Sequence, residues 1–185
     1  MHTIVHVFAV LFVGIGMGLT LAHALEYPGK LRLSRDQYFA VQQICRPGFA
    51  VGGLAEAVGL LATLWLIIIT PTASAAFWLM ASALAALIMA HAIYWVVAQP
   101  ISKFWVDHAA ARSMQTAAMG GARLSSSDWE DLRDRSELSH IARAALIFFA
   151  FTALAVALSE SASITRWFDN PGQALRAFDA KFTPL

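Results

Sequence analysis

A chain of 185 residues that is 58% apolar and only 14% charged, with a mean hydropathy of +0.60, carries too little charge to cover a soluble surface. Its net charge of +1 comes from scattered basic residues, which excludes a face that tracks a nucleic-acid backbone. A single cysteine, Cys45, excludes an internal disulfide and a thiolate zinc motif.

The first apolar run, residues 3–25, contains no lysine, arginine, aspartate or glutamate. Ala22-His23-Ala24 imitates a signal-peptidase site. No basic residue precedes the run, however, and it is too long for a signal h-region, so it reads as a retained helix. Pro28-Gly29 predicts a turn. Ser34 with Gln37 three residues on predicts a capping box opening a helix that carries Tyr38, Phe39 and Gln42 until Pro47 kinks or breaks it. A second run, 47–69, is broken only by Glu56, and a third, 73–98, only by His91. Thr70-Pro71-Thr72 between them predicts a tight hairpin.

Residues Lys103 to Met119 read as a helix along the membrane, stopped by Gly120-Gly121. Ser127 with Glu130 then caps a helix expected to run through Trp129, Arg133, Glu137 and His140 into a fourth span at 140–158, with Trp105 and Trp129 as interface anchors. Asn170-Pro171 opens a short tail helix whose Leu175, Phe178 and Phe182 rest on the outer leaflet. Roughly 20 apolar residues cross a hydrocarbon core, and four such runs in one short chain define an all-α, four-transmembrane-helix bundle. Short amphipathic helices are expected in its cytoplasmic loops and tail. Residues 1–160 form the transmembrane domain and 161–185 an amphipathic tail. Gly14, Gly16 and Gly18 on the first span, and Gly52, Gly53 and Gly59 on the second, allow close helix approach.

Lys30, Arg32, Arg35 and Arg46 fill the first loop, and Lys103, Arg112, Arg123, Arg133 and Arg135 the long one. The positive-inside rule then places both loops in the cytoplasm of a bacterial inner membrane, with N- and C-termini in the periplasm. Every span contributes polar groups to that cytoplasmic end: His23 and Glu26; Gln42, Gln43, Arg46 and Glu56; His91, Tyr94 and Gln99; Glu137, His140 and Arg143. Ionisable groups in a membrane are costly, and they mark function by default. His2, His6 and His108 fall outside this set.

His23/Glu26 and Glu137/His140 each sit three residues apart, so two helices each present an imidazole and a carboxylate on one face. Carboxylate-bridged di-iron bundles use Glu-x-x-His pairs plus single glutamates. His23, Glu26, Glu137 and His140 are therefore candidate metal ligands, although the first pair is reversed and only Glu56 is left to supplement them. The structural alternative is an ion-pair network in which Glu26, Glu56 and Glu137 satisfy Arg46, Arg143 and the histidines.

The run Ala22-His23-Ala24-Leu25-Glu26-Tyr27-Pro28-Gly29-Lys30, the stretch Tyr38-Phe39-Ala40-Val41-Gln42-Gln43-Ile44, and Trp129-Glu130-Asp131-Leu132-Arg133 with Glu137-Leu138-Ser139-His140 together resemble the anthrone-oxygenase-like family. These are small four-helix membrane proteins, and the likeness extends to about residue 158. The chain departs from the family pattern at Cys45, where a tyrosine stands, at Ser136, where a tryptophan stands, and at Ile101-Ser102-Lys103, which replaces an asparagine-rich stretch.

The resemblance implies oxygenation of a hydrophobic aromatic or quinone-type small molecule, such as an anthrone, with no cofactor or with a metal ion. His23 or His140 would serve as base, Glu26 or Glu137 would hold its tautomer, and Gln42, Gln43 or Arg46 would stabilise the anion. His91 and Tyr94 would lie against substrate entering from lipid, in a pocket lined by Phe39, Tyr94 and Trp95. The competing expectation is a non-catalytic accessory subunit of a larger membrane complex or a homo-oligomer.

Overall fold

The computed structural model describes residues 2–103, 105 and 126–169, apart from the side chains of 45–49, 126–128 and 161–169. The expected helix after Lys103, the Gly120-Gly121 stop, His108, the Arg46 side chain and the tail helix after Asn170 lie outside the described residues.

Among the described residues the chain is entirely helical. Helix α1 spans His2–Leu25, the single turn α2 spans Tyr27–Lys30, and α3 spans Arg35–Ile69. Helix α4, Ala75–Ile93, passes through a π-helical turn at Tyr94–Ala98 and continues helically to residue 103. Helix α5 runs unbroken over Ser126–Asp169. Four segments are long and apolar enough to cross a membrane: His2–Lys30, Ala50–Ile69, Ala75–Lys103 and Trp129–Glu160.

Of the two expected caps, the structure keeps the one at Ser34. The Ser34 backbone N–H donates to Gln37 Oε1 at 2.9 Å, the return arm of the expected capping box. The hairpin is closed by Ser74, whose hydroxyl accepts from the Phe77 N–H at 3.2 Å and donates to the Pro71 carbonyl at 2.9 Å. At α5, by contrast, Ser126 is already helical, so Ser127 is not the cap.

Two further expectations are corrected. Pro28-Gly29 lies inside the helical turn α2 rather than an open turn, because proline fits the first turn of a helix, where its missing N–H has no partner to lose. Pro47 does not end α3, which is helical on both sides of it; proline removes one backbone bond but is tolerated where neighbouring helices hold the segment. Helix α5 continues past residue 160 to Asp169.

Helix α5 packs against both α1 and α4, and α1 also packs along α3. Buried positions recur at a common period: 6, 9, 13, 16 and 23 on α1; 52, 56, 59, 63, 66 and 70 on α3; 76, 80, 83, 87 and 90 on α4; 143, 147, 150, 154 and 157 on α5. Alternate steps of three and four residues keep each seam facing inward with the shallow left-handed crossing of a coiled coil.

The seam between α4 and α5 is made largely of alanine (Ala76, Ala83, Ala90, Ala150 and Ala157) interleaved with Met80, Leu87, Ile147 and Leu154. Small residues bring helix backbones together where lipid supplies no hydrophobic drive between helices. Glycine does the same between α1 and α3. A Cβ on Gly59 would stand 2.7 Å from Val13 Cγ2 and 3.1 Å from its backbone nitrogen. Gly18 and Gly53, in contrast, face nothing within 4 Å, so the expectation of close approach holds for only part of the glycine set.

The large side chains point the other way. Ile4, Phe8, Leu11, Leu54, Leu61, Ile68, Ile88, Phe148 and Phe149 are all exposed, a continuous apolar belt far beyond what a water-soluble monomer carries. Trp65 and Trp78 stand exposed near the hairpin and Trp95 near the opposite end. Trp105 and Trp129, expected as interface anchors, are instead buried with Tyr38 and Ile101 in a small aromatic cap.

Candidate functional site

Between the alanine-lined core and the aromatic cap lies a layer of buried polar side chains. On α5 the order is legible along the chain: Trp129 belongs to the cap, Glu137, His140 and Arg143 form the polar layer, and Ile147 begins the core.

Glu137 is fully buried and holds the first half of the site. Its Oε1 accepts from the Tyr38 hydroxyl at 2.8 Å and from Gln42 Nε2 at 3.4 Å, and its Oε2 accepts from Lys30 Nζ at 3.3 Å. The His23 Nε2 lies 3.5 Å from the same Oε2. Lys30 is buried because α2 folds it back beneath α1. There its ammonium stands 2.8 Å from His23 Nδ1 and 3.2 Å from His23 Nε2, and pairs with Glu26 at 3.2 Å. An ammonium only donates, so His23 offers it a ring-nitrogen lone pair. The His23 ring meets the His140 ring edge to face, with centroids 4.2 Å apart. Imidazoles from two different spans therefore touch.

Glu56 holds the second half. Arg143 Nη2 donates to its Oε2 at 2.6 Å and His91 Nδ1 to its Oε1 at 2.9 Å. The Arg143 guanidinium lies over the Tyr94 ring at 4.9 Å, where the π-helical turn begins; single π turns of this kind are frequent at functional sites.

Tyr38 stands outside the spanning segments. Burial, and after it the charge of Glu137, push its phenol well above the ordinary value of 10.0, so it remains a donor.

The expected site residues are thus brought together only in part. His23, Glu137 and His140 converge, while Glu26 stays at the rim, 51% exposed and 3.9 Å from His23. Gln42 donates to Glu137 rather than facing a ligand, and Gln43 is exposed. Phe39 packs on Trp105 in the cap, and Trp95 faces outward, so neither lines a shared pocket with Tyr94. His6, set aside from the sequence, is fully buried and bonds the Leu154 carbonyl through Nε2 at 3.0 Å.

The metal reading fits poorly. Among the described residues no three histidine, cysteine or carboxylate side chains converge as a ligand set. The position between Glu26, Glu137 and His23 is taken by the Lys30 ammonium, a fixed cation. The network alternative is the one whose described members are found hydrogen-bonded, with Glu56 on Arg143 and His91.

Sequence reasoning missed Lys30 and Tyr38 as members of the site. Lys30 was read only as a topological charge. Its spacing of four from Glu26 and seven from His23 is the helical signal that would have found it, and Tyr38 likewise shares a face with Gln42, four residues on.

Comparison of the chain with family models, with curated proteins and with solved structures returned no match.

Proposed function

We propose that the chain spans a bacterial inner membrane four times with both loops in the cytoplasm, and that its polar end is a base site for oxygenating an apolar, phenolic or quinone-type aromatic. The reading rests on the contact between His23 and His140, imidazoles from separate spans meeting beside a buried carboxylate. A neutral imidazole inside an apolar bundle is a proton acceptor suited to a carbon acid such as an anthrone. In that reaction the base removes a ring C–H proton, and the carbanion is oxidised by dioxygen. One oxygen atom ends as the new ketone and the other leaves as water.

His140 is the better placed of the two bases, because it is partly exposed whereas His23 is buried and held by Lys30. Glu137 and Lys30 fix His23, and His23 in turn fixes His140. The test is oxygen uptake by the purified chain with a hydroxylated anthrone. His140→Ala should lower the rate by about 100-fold or more and His23→Ala by somewhat less, with the fold intact. Equal uptake by the wild type and both variants would remove the proposal.

A second reading is a non-catalytic subunit of a larger membrane assembly. It is favoured by the self-satisfied bonding of Glu137 and Glu56, which is what a purely structural polar layer needs. A stable stoichiometric partner recovered from native membranes, with no uptake by the isolated chain, selects it.

A further inference from the structure

We infer that Arg143 is the oxygen-holding group of this site, receiving through Nε the phenolate-type oxygen of an apolar aromatic whose proton passes to His140. This assignment deepens the base-site reading and depends on it.

Arginine normally meets a carboxylate through two parallel bonds. Here the Glu56 carboxylate is divided: Oε2 accepts from Arg143 Nη2 and Oε1 is claimed by the His91 ring. The guanidinium is thereby kept from closing its fork. Its Nε is buried and has no acceptor among the described residues. A buried donor on a cation is costly to leave unmatched, and arginine cannot shed its proton to escape the cost. The Tyr94 ring beneath the guanidinium fixes its plane, so the direction of the Nε–H is set before any ligand arrives.

The neighbours suit an oxygen acid rather than a permanent anion. Two carboxylates, Glu26 and Glu137, share the Lys30 ammonium, and Glu56 pairs with Arg143. A ready-made anion would enter beside these carboxylates. A neutral phenol or enol that gives its proton to an imidazole leaves the total charge unchanged, and a neighbouring carboxylate then stabilises the imidazolium. His140 lies three residues before Arg143 on α5 and so on the same face. The other anion-holding candidates with described side chains are engaged or turned away, since Gln42 donates to Glu137 and Gln43 is exposed.

The probe is 2-hydroxyanthraquinone, whose anion absorbs to the red of the neutral phenol, added to the purified full-length chain in micelles at neutral pH. The wild type should shift the band to the red. Arg143→Lys keeps a cation opposite Glu56 but has no Nε; it should lose the shift and bind about tenfold or more weakly. The paired variant Glu56→Gln/Arg143→Gln, which keeps a hydrogen bond and removes both charges, should do the same and guards against a misfolded single variant. A red shift that persists in both variants, or no shift with the wild type, overturns the assignment. Failure of the base-site reading shows separately, as absence of oxygen uptake by the wild type while the spectral change is still lost with Arg143.

Discussion

Lys30 and Tyr38 decide what Glu137 can be. A carboxylate buried in the layer between core and cap is tolerable only because a cation and a phenol both donate to it. Replacing Lys30 by Met should destabilise the fold by roughly 3–5 kcal/mol, since it leaves a buried charge without its partner. The pair Lys30→Met/Glu137→Gln should recover most of that loss, as read by denaturant unfolding in mixed micelles. Tyr38→Phe removes one bond to the carboxylate and should cost about 1–2 kcal/mol.

The Tyr38 phenol also sets an alkaline limit. Its ionisation in the folded chain lies above the ordinary 10.0, so the unfolded chain releases that proton first. The contribution of Tyr38 is complete below that value and drains away as pH rises toward the folded one. Stability measured from about pH 8 to about 12 should fall for the wild type and fall less steeply for Tyr38→Phe.

At the scale of elements, the apolar runs and the Thr70-Pro71-Thr72 hairpin were legible, because span length and hairpin chemistry are local properties. The capping bond from Ser34 to Gln37 needed nothing beyond the spacing of a few residues. What lay hidden depended on tertiary packing. Nothing local says that Trp105 and Trp129 will close over Tyr38 rather than face headgroups, or that α2 will fold Lys30 inward. The pairing of Glu137 with His140 on one face of α5 was legible because i and i+3 spacing is a property of the helix itself. The partners of Gln42 and Glu56 were not, because they depend on how helices are rotated about their axes.

Glycine usage shows the same division. Gly59 and Gly53 look alike in sequence, yet only the first meets a neighbouring helix. Gly59→Ala must push against the stiff Val13 side chain and its backbone, and should destabilise by about 1–3 kcal/mol. Gly53→Ala meets nothing and should be neutral or stabilising by up to about 1 kcal/mol. Thermal unfolding in one detergent compares them.

At the scale of the whole molecule, the small residues face in and the large ones face out, the arrangement of a body dissolved in lipid. The proposed orientation puts the Thr70–Ser74 turn outside and the 26–34 segment inside. In a Cys45→Ser background, a membrane-impermeant thiol reagent applied to intact spheroplasts should label Thr72→Cys and spare Arg32→Cys. The reverse pattern inverts the topology.

The repeating seam between α4 and α5 carries a last consequence. Alanine alternates with a bulky residue every three or four positions along both helices, so a slip of seven residues would still match small against large over most of the length. Packing alone therefore selects poorly among these alignments. Two polar contacts on one carboxylate break the degeneracy: Arg143 on Glu56 Oε2 ties α5 to α3, and His91 on Oε1 ties α4 to the same residue. Neither bond can survive a slip. The hydrogen bonds that would make the site reactive thus also tell an otherwise repetitive bundle where to stop sliding.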